Sequence, residues 1–340
     1  FAAVLDVPGL NYRTQKYELA YEKLPQGYIL GSETASTVSS RGVYKLPAEE
    51  FKQKNYPDGQ SSSYDLESCS WSNLPEEDWV LQDDKPWVIG EFVWTGFDYL
   101  GEPTPYDGYW PSRSSYFGIC DLAGLPKDRY YLYRSKWNKA AHTLHLLPHW
   151  NWEGREGDTV PVYCYTDYPA AELFINGISQ GKLQKNQGSK LDRYRLRWNK
   201  VIYQPGILKV VAYDENGKVA EEREIHTAGE PVGLRLTADR TELKADGNDL
   251  SFITVEVVDK EGNLCPQANI PLIVETTGAG VFKAICNGDP TSLELFHEPR
   301  MKTFNGKLVV IVQAEKKDGV ANLNIKGEGI KNKRMELLVN

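Results

Sequence analysis

Near residue 142 the hydrophobic pattern of the chain changes period, so one kind of core cannot serve its whole length. Before that point strand-like and helix-like runs alternate. Residues 2–7 are a short apolar run followed by Pro8 and Gly9, and residues 14–24 have helical spacing, with Tyr17, Ala20, Tyr21 and Leu24 on one face. Residues 27–31 are apolar again. Residues 55–73, rich in Ser, Gly and Asp, read as a long loop. Residues 75–82 begin at Pro75 with Glu76, Glu77 and Asp78 in the first turn, where a proline and negative charge both favour helix entry. Residues 87–94 are a third strand candidate, and residues 127–139, with Tyr130, Tyr131, Tyr133 and Trp137, a further helix. Such alternation is the pattern of a parallel α/β arrangement.

Beyond residue 142 short strands and tight turns take over, and only one of the nine tryptophans lies after Trp152. Residues 160–166, 172–175, 191–198 and 207–213 read as strands. Asn176-Gly177 and Asn216-Gly217 read as two-residue hairpin turns, whose central positions both need positive φ. From Pro231 onward, residues 233–238, 251–258, 271–275, 308–314, 321–325 and 335–339 form a second set. Two strand-rich segments of about a hundred residues each predict two β-sandwiches, with a linker at 226–230. The predicted organisation is multidomain: an α/β segment over 1–141, a sandwich over 142–228 and a second over 229–340.

A chain of 340 residues exceeds one ordinary core, which agrees with this division. The formal net charge is −8 and no long basic run occurs, which argues against nucleic acid or an anionic membrane as partner. A neutral ligand such as a sugar fits that balance. Cys69, Cys120, Cys164, Cys265 and Cys286 are scattered, odd in number and form no C-x-x-C pair, so they read as free, mostly buried thiols. No run of about 18 apolar residues is present to span a membrane. The chain opens on Phe1 inside an apolar segment, as expected if further sequence lies upstream.

Three strand ends could carry chemistry. They are Leu10-Asn11-Tyr12-Arg13, Gly31-Ser32-Glu33-Thr34-Ala35-Ser36, and Gly90-Glu91-Phe92-Val93-Trp94-Thr95-Gly96-Phe97-Asp98-Tyr99. In a (β/α)8 barrel, functional groups sit where parallel strands end. Glu33 follows an apolar run and has small neighbours, which leaves room for a substrate to reach its carboxylate.

In this order, the three motifs resemble the last three β/α units of the catalytic barrel of glycoside hydrolase family 2, which includes β-galactosidases, β-glucuronidases and β-mannosidases. The flanking pattern of Tyr116-Phe117-Gly118, Asp121, Gly124 and Lys127-Asp128 is similar to that family's barrel exit. The later segments resemble, more loosely, immunoglobulin-like domains appended to bacterial members. The expected fold is therefore the C-terminal portion of a (β/α)8 TIM barrel (strands 6–8) followed by two immunoglobulin-like β-sandwiches. The resemblance implies retaining hydrolysis of terminal β-galactosides, with Glu33 as nucleophile, Tyr12 hydrogen-bonded to it, Trp94 as the floor of the sugar site and Asn11 as a substrate-binding residue. Galactose is preferred because residues 90–103 look most like the β-galactosidase branch. Retention needs two carboxyls about 5 Å apart. The family's acid/base glutamate follows an asparagine, and no Asn-Glu dipeptide occurs here, so the acid/base and the first five β/α units are expected on a missing N-terminal half, upstream or on a separate chain. The same resemblance implies no organic cofactor, Mg²⁺ or Na⁺ in some members through residues that lie mostly upstream, and a periplasmic or secreted location. Oligomeric state, a homo-oligomer included, is left open.

Other residues invite functional readings. Glu91, Asp98 and Glu102 are nearby carboxylates, of which Glu91 is expected to be buried and paired. Arg13 and Arg41 could recognise a glucuronide carboxylate or be structural. Tyr106, Tyr109 and Trp110 could line outer sugar subsites, whereas Trp79, Trp87 and Trp137 are expected in the core. His142, His145 and His149 do not share a face on a strand, and Pro148 disfavours a helix through them, so no metal site is expected. Trp150-Asn151-Trp152 reads as domain packing rather than as a sugar platform. A non-catalytic carbohydrate-binding fragment is the rival reading to an enzyme.

Overall fold

The computed structural model describes residues 1–340 and opens on strand β1 (Gly9–Asn11), helix α1 (Tyr17–Lys23) and strand β2 (Ile29–Ala35). A long excursion carrying the small parallel pair β3 (Phe51–Lys52) and β4 (Glu67–Ser68) leads to helix α2 (Pro75–Asp84), strand β5 (Val88–Trp94) and helix α3 (Asp128–Trp137). Strands β1, β2 and β5 lie side by side in that order, all parallel. Helix α2 starts as its sequence predicts: Pro75 occupies the first turn, and the Leu74 amide donates to the Glu77 carboxylate at 3.4 Å. Tyr17 of α1 packs on Ile29 and Val88, and Trp79 of α2 packs near Val93, so helices cover one face of the sheet. Toward the other side Ile89 and Phe92 remain 54% and 66% exposed. The run over residues 2–7 is not a strand. Ala2–Val4 is a 3-10 turn, and pairing begins only at Gly9, opposite Leu30. A Cβ at Gly9 would meet Ser32 Oγ at 2.5 Å, so the Ser32 side chain lies over this position only because it has no Cβ.

The chain continues as β6 (Leu144–Leu147), β7 (Val162–Thr166), β8 (Ala170–Ile175), β9 (Ile178–Gln184), β10 (Arg195–Trp198), β11 (Ile207–Tyr213) and β12 (Val219–His226). Antiparallel sheets β10-β7-β6 and β12-β11-β8-β9 enclose one core built on Trp150, Val162, Leu173, Leu196 and Val210. Its edges were the least readable. β12 is Val-Ala-Glu-Glu-Arg-Glu-Ile-His, almost wholly exposed, and its charges protect an open edge rather than mark a core. Asn176-Gly177 is a turn with φ of 50° and 81°. Asn216-Gly217 is a different turn, because only Gly217 has positive φ. The Gly217 amide donates to the Asp214 carbonyl at 2.9 Å, and the Asp214 carboxylate caps the amides of Asn216 and Lys218, closing a longer loop.

The last set is β13 (Gly233–Ala238), β14 (Glu242–Leu243), β15 (Leu250–Val258), β16 (Pro271–Gly278), β17 (Gly280–Cys286), β18 (Arg300–Lys302), β19 (Lys307–Ala314), β20 (Gly319–Gly327) and β21 (Lys333–Val339). Sheets β13-β15-β19-β17 and β14-β21-β20-β16-β18 bury Ile253, Val255, Val310, Leu323 and Leu337 between them, taken from alternating positions along each strand. All five cysteines are unpaired.

Buried polar links join the three parts. Arg195 of β10 pairs with Glu76 of α2, both without exposed side-chain surface, and its guanidinium also donates to the Tyr64 carbonyl at 3.0 Å. Arg41 pairs with Asp121 at 2.6 Å and donates to the carbonyls of Asn287 and Phe304 in the last sandwich. Asp78, behind the parallel sheet, accepts from Asn73 at 2.6 Å, while its second oxygen is buried without a partner. Burial, then the neighbouring Glu91 charge, pushes its pKa up to about 8 from 3.8. Between those values the folded state holds a proton that the unfolded chain has lost, so this group destabilises the fold as pH rises from 3.8 to about 8. The Asp78→Asn variant, which cannot ionise, is expected to gain thermal stability over the parent at pH 8, with the gain shrinking toward pH 4. Melting curves across that range check it, and a gain that grows on acidification contradicts it.

Candidate active site

Strands β1, β2 and β5 end at one edge, and the three motifs meet there. Asn11 of β1 pairs in register with Glu33 of β2, and Ala35 of β2 with Trp94 of β5. The Tyr12 amide donates to the Glu33 carbonyl at 3.1 Å, which fixes the two residues beside each other. The Tyr12 hydroxyl bonds Ser36 Oγ at 2.7 Å, and Ser36 Oγ lies 3.3 Å from the Trp94 carbonyl. One chain of contacts therefore ties Tyr12, the Glu33 strand and Trp94 together. Tyr12 was expected to hydrogen-bond Glu33. Its short bond is to Ser36, just past the strand end, with the Glu33 carboxylate within reach as a second acceptor of the same hydroxyl. Burial, and then the adjoining Glu33 charge, hold the phenol proton on, against the opposing effect of the Ser36 bond.

The backbone at this edge is unusual. Tyr12, Ala35, Ser36 and Glu102 have φ of 54°, 58°, 55° and 44°, a region costing roughly 1–2 kcal/mol for a residue with a Cβ. Such residues cluster where structure serves a site rather than its own stability. Asn11 is exposed, and its side-chain oxygen accepts from Ser32 Oγ at 2.6 Å. Glu33 is half-buried.

Trp94, 36% exposed, donates its indole N–H to Tyr99 Oη at 3.0 Å, and Tyr99 in turn donates to Glu102. Burial and the Glu102 bond push Tyr99 up to about 12, so it stays a donor. Each neighbouring carboxylate already has a protein partner. Glu91 accepts from Thr34 Oγ1 and Trp79 Nε1, both at 2.7 Å, on the helix-covered side, where burial raises its pKa. Asp98 pairs with Lys127 at 2.6 Å and accepts from the Gly118 amide at 2.7 Å. Burial lifts it to about 6 despite that cation. Glu102 takes the Tyr99 bond. No group of three or more His, Cys, Asp or Glu side chains converges on a metal-sized position.

Sequence reasoning missed Ser36, Tyr99 and Trp71. Trp71, 38% exposed, sets its ring edge-to-face against Tyr12 with centroids 4.8 Å apart. A lone tryptophan in a Ser- and Asp-rich loop was the available signal. The outer-subsite expectation for the later aromatics is corrected for two of three. Tyr106 is buried and bonds the Gln60 carbonyl, and Tyr109 bonds the Pro57 carbonyl, so both hold loops together. Trp110 alone is exposed, at 75%. Of the tryptophans expected in the core, Trp79 is fully buried and Trp87 stacks on Tyr21, but Trp137 is 45% exposed at the end of α3, leaning on Tyr133. Trp150 and Trp152 are buried in the first sandwich, and Asn151 exchanges two hydrogen bonds with Ala228. His142 and His145 pair with different aspartates, Asp167 and Asp128.

Residues 234–336 match the family model described as glycoside hydrolase family 2 C-terminal domain 5, and residues 157–221 match a domain of unknown function. A β-galactosidase of Bacteroides ovatus is 42% identical over 97% of this chain, which spans 38% of that protein. A putative β-glucuronidase of Formosa agariphila is 32% identical over 73% of the chain, covering 25% of its own length. A crystal structure of a β-glycosidase from Bacteroides vulgatus superposes with a TM-score of 0.89 at 30% identity, covering 98% of this chain and 45% of that one. A family 2 member from Bacteroides cellulosilyticus gives 0.79 at 28% identity, covering 99% of this chain and 42% of that one. The chain thus spans less than half the length of these relatives. It belongs to glycoside hydrolase family 2 and carries that family's C-terminal domain 5.

Proposed function

We propose that the chain is the back of a retaining β-galactosidase, in which Glu33 is the nucleophile, Tyr12 the residue that positions it, and Trp94 and Asn11 contacts to the sugar. The observation that carries this reading is the convergence of Glu33, Tyr12 and Trp94 at one edge of three parallel strands, tied by the Tyr12–Ser36–Trp94 contacts. Residues 1–141 are read as the last three β/α units of a (β/α)8 barrel, and 142–228 and 229–340 as appended immunoglobulin-like sandwiches. The exposed Ile89 and Phe92 suit a sheet meant to be covered, because a three-stranded parallel sheet leaves apolar surface and open edges.

In the mechanism, Glu33 attacks the anomeric carbon as the leaving group departs protonated by an acid/base glutamate from the missing half. Water, deprotonated by that same group, then releases the sugar. An indole face suits the C–H side of galactose. Galactose is favoured by the 42% identity to a protein named as a β-galactosidase. It is favoured also by the engagement of Arg41 with Asp121, which removes one of two cations that could meet a glucuronide carboxylate. The β-glucuronidase reading draws on relatives so named and would rest on Arg13, whose guanidinium touches only the Tyr12 carbonyl, at 3.4 Å. A β-mannosidase has no separate observation in its favour. A periplasmic or secreted site of action belongs to the same proposal.

The 340-residue chain alone is expected to show no turnover of an aryl β-galactoside, and the complete polypeptide to show it. Turnover by the chain alone contradicts the divided site. Turnover of the aryl β-glucuronide in preference to the galactoside by the complete polypeptide selects the rival sugar.

A further inference from the structure

Trp71 sits in the layer of loops above the strand ends, not on a strand. Its loop is held to the strand that carries Glu33. The Asn73 amide donates to the Ala35 carbonyl at 3.0 Å, and Thr37 Oγ1 to the Asn73 carbonyl at 3.1 Å. Within the loop, the Cys69 amide donates to Ser72 Oγ at 2.7 Å. Beneath the indole lies a small core of loop residues, Val38, Cys69, Tyr106, Tyr116 and Phe117, and the Trp71 ring tilts onto Phe117 at 5.7 Å. The ring is therefore fixed from below and at its edge by Tyr12. Even so it stays 38% exposed, and its N–H donates to no acceptor within this chain. An apolar ring held in place while a face and a donor remain open is poised for a ligand with both C–H surface and hydroxyls. Trp94 differs: it lies at the strand end itself, and its N–H is already given to Tyr99.

We infer that Trp71 is a specificity-determining residue that stacks on the group attached to the cleaved sugar, so that the preferred substrates are galactosides of another carbohydrate. This rests on the proposed reading of Glu33 and Trp94. Strand ends supply the reacting residues, and the loops above them meet what extends outward from the reacting centre. Trp71 meets Tyr12 from such a loop, edge-to-face. Stacking there lowers the barrier only for substrates that have a second ring.

The test compares two substrates of the complete polypeptide: a β-galactosyl disaccharide, and β-galactosyl fluoride, whose leaving group has no ring to stack on. Trp71→Ala is expected to lower kcat/KM for the disaccharide by roughly ten- to a hundredfold, the range for one lost apolar contact. It leaves the fluoride within about twofold, and Trp71→Phe recovers most of the loss. An equal loss on both substrates shows that Trp71 acts only through Tyr12 and overturns the inference, as does no loss on either. Glu33→Gln, measured alongside, separates failure of the underlying reading: turnover of the fluoride that survives this change removes Glu33 as the nucleophile, and with it the site on which the inference rests, whatever Trp71 does.

Discussion

In the complete polypeptide, replacing Glu33 with Gln is expected to lower kcat for an aryl β-galactoside by about 10⁴-fold or more, the scale seen when a nucleophile is removed from an otherwise intact site. The amide has nearly the shape of the carboxylate but cannot displace a leaving group, so no covalent intermediate forms. The fold should survive. Glu33 is half-buried, and the contacts that hold this edge run through the Tyr12 amide, Ser36 and the Trp94 carbonyl rather than through its side chain. Unchanged melting with lost turnover is therefore the expected pair of results. A loss below about tenfold means that another carboxylate attacks.

The second large effect is on stability. Glu76→Ala is expected to destabilise the protein by about 3–5 kcal/mol, the usual result of stripping one partner from a buried ion pair. Arg195 has no exposed surface, and without Glu76 its hydrogen bonds would reduce to the Tyr64 carbonyl and the Tyr165 hydroxyl, at 3.0 and 3.2 Å, with Asp65 as the remaining opposite charge. The pair also bridges α2 and the first sandwich, so the change should loosen the seam formed by Trp79, Tyr133, Tyr163 and Tyr194. Replacing both partners, Glu76→Leu with Arg195→Met, should recover most of the loss, since apolar packing can stand in for a buried pair. Denaturant midpoints of the single and double variants check this. A double variant no better than Glu76→Ala alone contradicts it.

The strand ends were readable because the candidate residues lie at the ends of apolar runs, next to small or polar neighbours, and the run before Glu33 is the clearest case. Helix α2 was readable from Pro75 and its acidic first turn, and the sandwich cores from alternating apolar residues such as Ile253, Val255 and Val257. What escaped was set by partners distant in the chain. Residues 2–7 look like a strand but have no neighbour to pair with, and β12 looks like loop because an edge strand can be wholly charged. Tyr12 turning to Ser36 depends on left-handed backbone at Tyr12, Ala35 and Ser36, none of which is glycine or asparagine, so no residue type announced it. Trp71 reaches the site only because its loop folds back onto Ala35 and Thr37.

The central claim is that Glu33 forms a bond to the sugar. The most direct measurement is to incubate the complete polypeptide with a 2-deoxy-2-fluoro-β-galactoside bearing a dinitrophenyl leaving group, then locate the added mass by peptide mass spectrometry. The fluorine slows both steps by destabilising the oxocarbenium-like transition state, while the good leaving group keeps the first step fast enough for the intermediate to accumulate. The expected result is one label, on Glu33. A label on Glu91, Asp98, Glu102 or any other carboxylate, in a protein that turns over galactosides, would contradict the account.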